Sequence, residues 1–133
     1  MEMIATRTVL IVDDDPDDIE LTTLAIQKSS RNIHIISAGD GKSAMVMLVH
    51  GTLPDLIFLD LKMPGMSGVE VLRQIRSSER LRRIPVVVIT SSSLDTDMRE
   101  ALNAGADAFA HKAFDMVRFN REIHMLLTEW LHV

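Results

Sequence analysis

The sequence predicts a three-layer α/β sandwich, a doubly wound (βα)5 fold whose five parallel strands lie in the order 2-1-3-4-5 with helices on both faces. Three observations predict it. Five short apolar runs rich in β-branched residues recur along the chain. The segments between them carry apolar residues at helical spacing. Each step from strand to helix is short, so successive strands are joined by helical crossovers, run parallel and connect with right-handed geometry. At 133 residues the chain has the length of one domain, and such a chain buries roughly two thirds of its extended surface.

The first run, Thr8 to Val12, is β-branched and meets Asp13, Asp14 and Asp15 without a break. Asp15 suits an N-cap and Pro16 the first helical turn, where its missing N–H costs nothing. In that helix Leu21, Leu24, Ala25 and Lys28 fall at helical spacing and predict the inward face. Ile33 to Ser37 reads as the second strand and Gly39-Asp40-Gly41 as a turn. A second helix follows from about Lys42, with Ala44, Met47 and Leu48 on one side, ending near Gly51.

Leu56-Ile57-Phe58-Leu59 is apolar on both faces, as expected of a central parallel strand covered by helices on either side. It ends on Asp60, and Pro64, Gly65 and Gly68 break the chain beyond it. Ser67 and Glu70 have capping-box spacing, which predicts a third helix with Val69, Leu72 and Ile75 facing inward. Val86-Val87-Val88-Ile89 is a fourth strand, finishing on Thr90. Serines 91 to 93 are the candidate cap for a fourth helix whose face is Leu94, Met98, Ala101 and Leu102, closed by Gly105. Ala108 to His111 is a short fifth strand leading to Lys112. Asp115 can cap a last helix with Met116, Phe119, Ile123, Leu126, Leu127 and Trp130 in phase.

In an open α/β sheet, ligands bind at the carboxyl ends of the strands. This arrangement delivers Asp13 and Asp14 from strand one, Asp60 from strand three, Thr90 from strand four and Lys112 from strand five. Singly, each reads as a solvated cap or a surface lysine; their joint placement on one rim predicts a site. Three neighbouring carboxylates repel, and a cation relieves them. Magnesium suits an all-oxygen donor set, keeps several waters and is commonly shared with phosphate, and manganese is an expected substitute. Asp60 is then a carboxylate able to attack phosphorus and form an acyl phosphate, with Lys112 supplying fixed charge and Thr90 a hydroxyl. Phosphoryl transfer depends on this positioning and neutralisation.

The motifs VDDD, DLIFLDLKMPGMSG and VVVITSSS and the strand-five lysine, in that order and spacing, resemble the receiver domains of two-component response regulators, which have a flavodoxin-like fold. The resemblance covers almost the full length and implies a single receiver domain over residues 1–133 without an output domain. It implies that a sensor histidine kinase or phosphotransfer protein donates phosphate to Asp60, and that the protein acts as a switch rather than an enzyme. It also implies that Asp13, Asp14, Asp60 and the backbone carbonyl of Lys62 surround magnesium, that Thr90 moves toward the phosphoryl group, and that Phe109 occupies the aromatic switch position, where a static core aromatic is the alternative. DDDPDD, LRRIPVVVIT and the tryptophan-bearing last helix are similar to the stand-alone regulators of bacterial phytochromes. This implies a light-sensing donor kinase and a homodimer built on the side of the fourth helix, fifth strand and fifth helix, with Phe114, Phe119 and Trp130 in or near the last helix as a partner patch or as core.

One departure from the family stands out. The proline that usually follows the strand-five lysine through a cis bond is Ala113 here, and a non-proline cis peptide costs roughly 2.5–4 kcal/mol, so a trans bond is expected. Ala113 favours a rival reading, a binding module without regulated phosphorylation. A phosphohydrolase with an aspartate nucleophile would carry a second carboxylate two residues on, where Lys62 stands. The Lys62 side chain can affect water attack on an acyl phosphate or simply be exposed.

Composition narrows the rest. A net charge of −5 argues against a general nucleic-acid surface. The arginines between Arg73 and Arg83 read as a solvated helix end and loop, with partner docking as the alternative. With no cysteine there is neither a disulfide framework nor a thiolate metal site. The N-terminal apolar run meets acids at once and predicts neither a signal peptide nor a span, so the expectation is a soluble cytoplasmic protein. His34, His50, His111, His124 and His132 lack metal-ligand spacing, and the nine methionines read as adaptable core filling.

Overall fold

The apolar runs become β1 (Arg7–Val12), β2 (Ile33–Ala38), β3 (Leu56–Asp60), β4 (Val86–Thr90) and β5 (Ala108–His111). Between and after them run α1 (Pro16–Ser29), α2 (Gly41–His50), α3 (Gly68–Ser77), α4 (Asp95–Ala104) and α5 (Met116–Leu131). The computed structural model describes residues 6–30, 32–51, 53–91, 94–112 and 115–132. The strands form one sheet in the order β2-β1-β3-β4-β5, as the sequence predicts, and every neighbouring pair is parallel.

Alternation along each strand sorts the core into two layers. Val9, Ile11, Leu56, Phe58, Val87 and Ile89 pack with Ala25, Ile26, Phe119, Ile123 and Leu127 of α1 and α5. Leu10, Val12, Ile57, Leu59, Val86 and Val88 pack with Ala44, Leu48, Leu72, Ile75 and Ala101 of α2, α3 and α4. The same parity extends to the strand ends. Asp60 follows Leu56 and Phe58 toward α1 and α5, whereas Thr90 follows Val86 and Val88 toward α4.

The caps at Asp15, Asp40, Ser67 and Asp115 hold their helices by side-chain hydrogen bonds from first-turn N–H groups. Two helix faces differ from the expectation. In α1 the buried residues are Thr22, Ala25 and Ile26, while Leu21 and Leu24 are 40% and 46% exposed. The buried stripe runs through Thr22, Ala25 and Ile26, so the helix is turned about its axis relative to the expected face and Leu21 and Leu24 flank the contact on its solvent side. In α4 the buried residues are Ala101 and Ala104, whereas Leu94 and Leu102 are exposed. Its N-cap is Leu94, which has no side-chain acceptor; of the predicted serine caps, Ser92 and Ser93 lie outside the described residues.

The arginine-rich stretch is also more than solvated charge. Arg76 donates to the carbonyls of Gly105 (2.9 Å), Arg82 (3.0 Å) and Ile84 (2.8 Å) and to the Asp107 carboxylate (2.8 Å). It thereby ties α3 to the approaches of β4 and β5. Arg80 reaches the carbonyls of Leu48, Val49 and Gly51 at the end of α2, satisfying acceptors that a helix C-terminus leaves unpaired. Gly105, at φ 109°, closes α4 in the left-handed conformation. Among the described residues no helix is long and apolar enough to cross a membrane.

Candidate functional site

Three adjacent strand ends, β1, β3 and β4, and the residue after β5 build one rim. Asp13 is 4% exposed and Asp60 5%, and Thr90 is fully buried. Asp13, Asp14 and Asp60 each offer a carboxylate oxygen, and these oxygens lie within 4.8 Å of one another. Asp14 is the exposed member, the side from which a solvated ion can approach. Among the described residues this is the group of acids and histidines that could hold a metal ion. Its donors are all hard oxygens and include two buried carboxylates, a set that fits a hydrated divalent cation.

Local backbone contacts hold the acids in place. Asp13 Oδ1 accepts the Asp15 N–H at 3.0 Å, and Asp60 Oδ1 accepts the Lys62 N–H at 3.4 Å. The Asp13 N–H donates to the Ala38 carbonyl at 3.1 Å, which ties the β1 end to β2. Gly68 sits against the other end of the site. Its N–H donates to the Leu61 carbonyl at 3.0 Å, and a Cβ there would run into the Asp60 carbonyl oxygen and lie 2.7 Å from the Leu61 Cα. The first turn of α3 is therefore seated directly on the backbone that carries Asp60.

Lys112 is the positive centre. Its N–H donates to the Thr90 carbonyl at 3.0 Å, so the β4–β5 ladder delivers its side chain to the rim. The ammonium lies 2.8 Å from Asp18 Oδ2, 2.9 Å from Asp13 Oδ2 and 3.4 Å from Asp60 Oδ2. Burial works against its charged form, but hydrogen bonds to Asp18 and Asp13 and the charges of Asp60 and Asp13 outweigh it and raise the lysine above its ordinary range. Burial pushes the Asp60 carboxyl up to about 6; Lys112 and the Lys62 N–H oppose the rise and the Asp13 charge adds to it. Asp60 is thus a carboxylate at neutral pH, though an unusually basic one.

The predicted site residues Asp13, Asp14, Asp60 and Lys112 come together. Thr90 stands at the end of the adjoining strand. Phe109 pairs with Val88 across the ladder and packs, half-buried, against the α2–α4 layer. The exposed Lys62 ammonium pairs with Asp97 of α4 at 3.2 Å. Phe119 is core, and Trp130, half-buried, packs against the same α1–α5 core layer. Phe114 and the Lys112–Ala113 peptide lie outside the described residues. Asp18 is the site residue that the sequence reading passed over. Its signal was present: Pro16 fixes the first helical position, which places Asp18 in the first turn, beside the strand ends.

Residues 9–124 match the family described as the response regulator receiver domain. The probable methanogenesis regulatory protein FilR2 of Methanothrix harundinacea is 34% identical over 92% of this chain and 83% of its own length. Against two mycobacterial regulators the chain spans 45% and 49% of the other protein. Among solved structures, the phosphorylated cyanobacterial phytochrome response regulator RcpA superposes with TM-score 0.88 at 29% identity, covering 96% of this chain and 95% of that one. The Mn2+-bound form of the response regulator Rcp1 gives TM-score 0.85 at 28% identity, covering 96% of both chains.

Proposed function

The chain belongs to the response regulator receiver family, whose signalling rests on phosphorylation, and from that premise we propose that Asp60 is its phosphoacceptor and that phosphorylation there switches contacts with other proteins. The observation that carries this reading is the buried Asp60 carboxylate, 3.4 Å from the Lys112 ammonium and grouped with Asp13 and Asp14.

Asp60, already ionised, needs no general base. One of its oxygens attacks the phosphorus of a phosphohistidine on a donor kinase or phosphotransfer protein. The P–N bond breaks, its electron pair returns to the imidazole nitrogen, and that nitrogen takes up a proton from solvent. The product is an aspartyl phosphate. Lys112 pairs with the added negative charge, and Thr90, on the α4 side of the sheet, moves toward the phosphoryl group and donates its hydroxyl to one of the oxygens. Asp13, Asp14, Asp60 and the Lys62 backbone carbonyl would hold Mg2+, with Mn2+ as substitute. Such a cation supplies the positive charge that lets three carboxylates and a phosphoryl group share one site.

Thr90 and Phe109 both belong to the α4 side of the sheet, which supports a switch running from the strand ends to α4 and β5. Likeness to a cyanobacterial phytochrome response regulator supports a light-sensing kinase as donor. The exposed apolar residues Leu94 at the α4 N-cap, Leu102 of α4 and Val117 and Met125 of α5 support a homodimer on the α4-β5-α5 side. The test of the core reading is incubation with a small acyl phosphate followed by intact mass measurement. One phosphoryl adduct should form with Mg2+ or Mn2+ and none with chelator; an adduct indifferent to divalent cation would contradict the assignment of the acids.

A further inference from the structure

Lys112 has three ammonium protons and three carboxylate neighbours, and it does not share them evenly. Its short contacts are to Asp18 (2.8 Å) and Asp13 (2.9 Å), and its contact to Asp60 is slack at 3.4 Å. Asp18 is alone among the three in belonging to a helix, the first turn of α1, and it is not part of the grouped carboxylates that could hold a cation. Its side chain is 30% exposed and that of Lys112 20%, so water screens the pair only partly. The two also wall one end of a cavity of about 50 Å³ between α1 and α5, completed by Leu21, Thr22, Met116 and Phe119.

We propose that Asp18 is a positioning residue that holds the Lys112 ammonium on the α1 side of the acid cluster and competes for it with a phosphoryl group on Asp60. This rests on the receiver reading above and deepens it. A phosphoryl group on Asp60 presents oxygens with more charge than the carboxylate they replace, so Nζ is drawn from Asp18 toward them. The tie between the β5 end and the first turn of α1 then loosens. Asp18 sets how strongly the phosphorylated state is favoured, because its hold on the lysine is lost when that state forms.

The test is a titration with beryllofluoride, an analogue of the phosphoryl group, at saturating Mg2+, followed by fluorine NMR. Asp18→Asn weakens the competing contact and should bind the analogue about 3–10-fold more tightly than wild type, as expected for loss of one partly screened ion pair. Asp18→Glu, which keeps the charge, should return the affinity toward wild type. In a Lys112→Ala background, Asp18→Asn should change nothing. If the effect persists there, Asp18 acts as a general charge near an anion and the proposal is overturned. Unchanged or weaker binding by Asp18→Asn, beside a normal wild-type complex, overturns this inference alone. No complex with wild type overturns the receiver reading, and this inference with it.

Discussion

Asp60→Asn should abolish the phosphoryl adduct and yet unfold at a higher urea concentration than wild type when divalent cations are removed. Folding takes the Asp60 carboxyl from an ordinary value of 3.8 to about 6. The native state therefore binds a proton more readily than the unfolded chain between those values. This contribution to stability falls as pH rises through that window and is fully lost above pH 6, at a cost of about 3 kcal/mol. Asparagine keeps the size and one acceptor but carries no charge to desolvate. The value of about 6 already includes the opposing pull of Lys112, so the expected net gain is up to about 3 kcal/mol at pH 7.5. The gain should shrink as pH falls through this window and vanish at about pH 3, where wild-type Asp60 is largely protonated in both states. A bound cation should likewise narrow it, since a ligand taken up by the native acids stabilises wild type by mass action. Equal or lower stability of Asp60→Asn at pH 7.5 would show that burial does not dominate at this carboxylate.

Gly68→Ala should impair both the fold and the site. By helix propensity alone the change gains up to about 1 kcal/mol. The added Cβ, however, meets the Asp60 carbonyl oxygen and lies 2.7 Å from the Leu61 Cα. These are backbone atoms at the end of the central strand and cannot turn aside as a flexible side chain would. Overpacking of this kind costs about 1–3 kcal/mol, so the net effect is destabilisation. The first turn of α3 and the β3 end must move apart, displacing the atom to which the reactive carboxylate is attached. Urea unfolding should show the stability loss, and the initial rate of adduct formation should fall about tenfold or more, as small misplacements of a reacting group commonly cause. A variant as stable and as reactive as wild type would remove the claim that α3 is seated on Asp60.

Both consequences depend on contacts the chain makes only when folded, and this marks the limit of what the sequence discloses. The rim was legible because the strands are apolar on both faces and stop abruptly at Asp13, Asp60 and Thr90, so their ends could be located within a residue. Parallel order then followed from short connections. Of the face that spacing predicts for α1, only Ala25 is buried: periodicity marks a stripe without fixing its phase, and the sheet takes Thr22 and Ile26 beside Ala25. In α4 likewise Ala101 is buried, whereas Leu94 and Leu102 are exposed. Arg76 and Arg80 looked solvated because their partners are carbonyls of distant segments, which no local pattern announces. Asp18 was hidden among five aspartates around one proline, and only the arrival of Lys112 from the far end of the chain distinguishes it.

The central claim is that Asp60, among three clustered carboxylates, is the one that carries phosphate. Borohydride reduces an aspartyl phosphate to the corresponding alcohol, leaving a permanent mass mark on the residue that held it. The chain should be phosphorylated with a small acyl phosphate and Mg2+, reduced, digested and sequenced by mass spectrometry. The mark is predicted at position 60 and nowhere else; a mark at Asp13 or Asp14, or none on a chain that carried the adduct, would contradict the account.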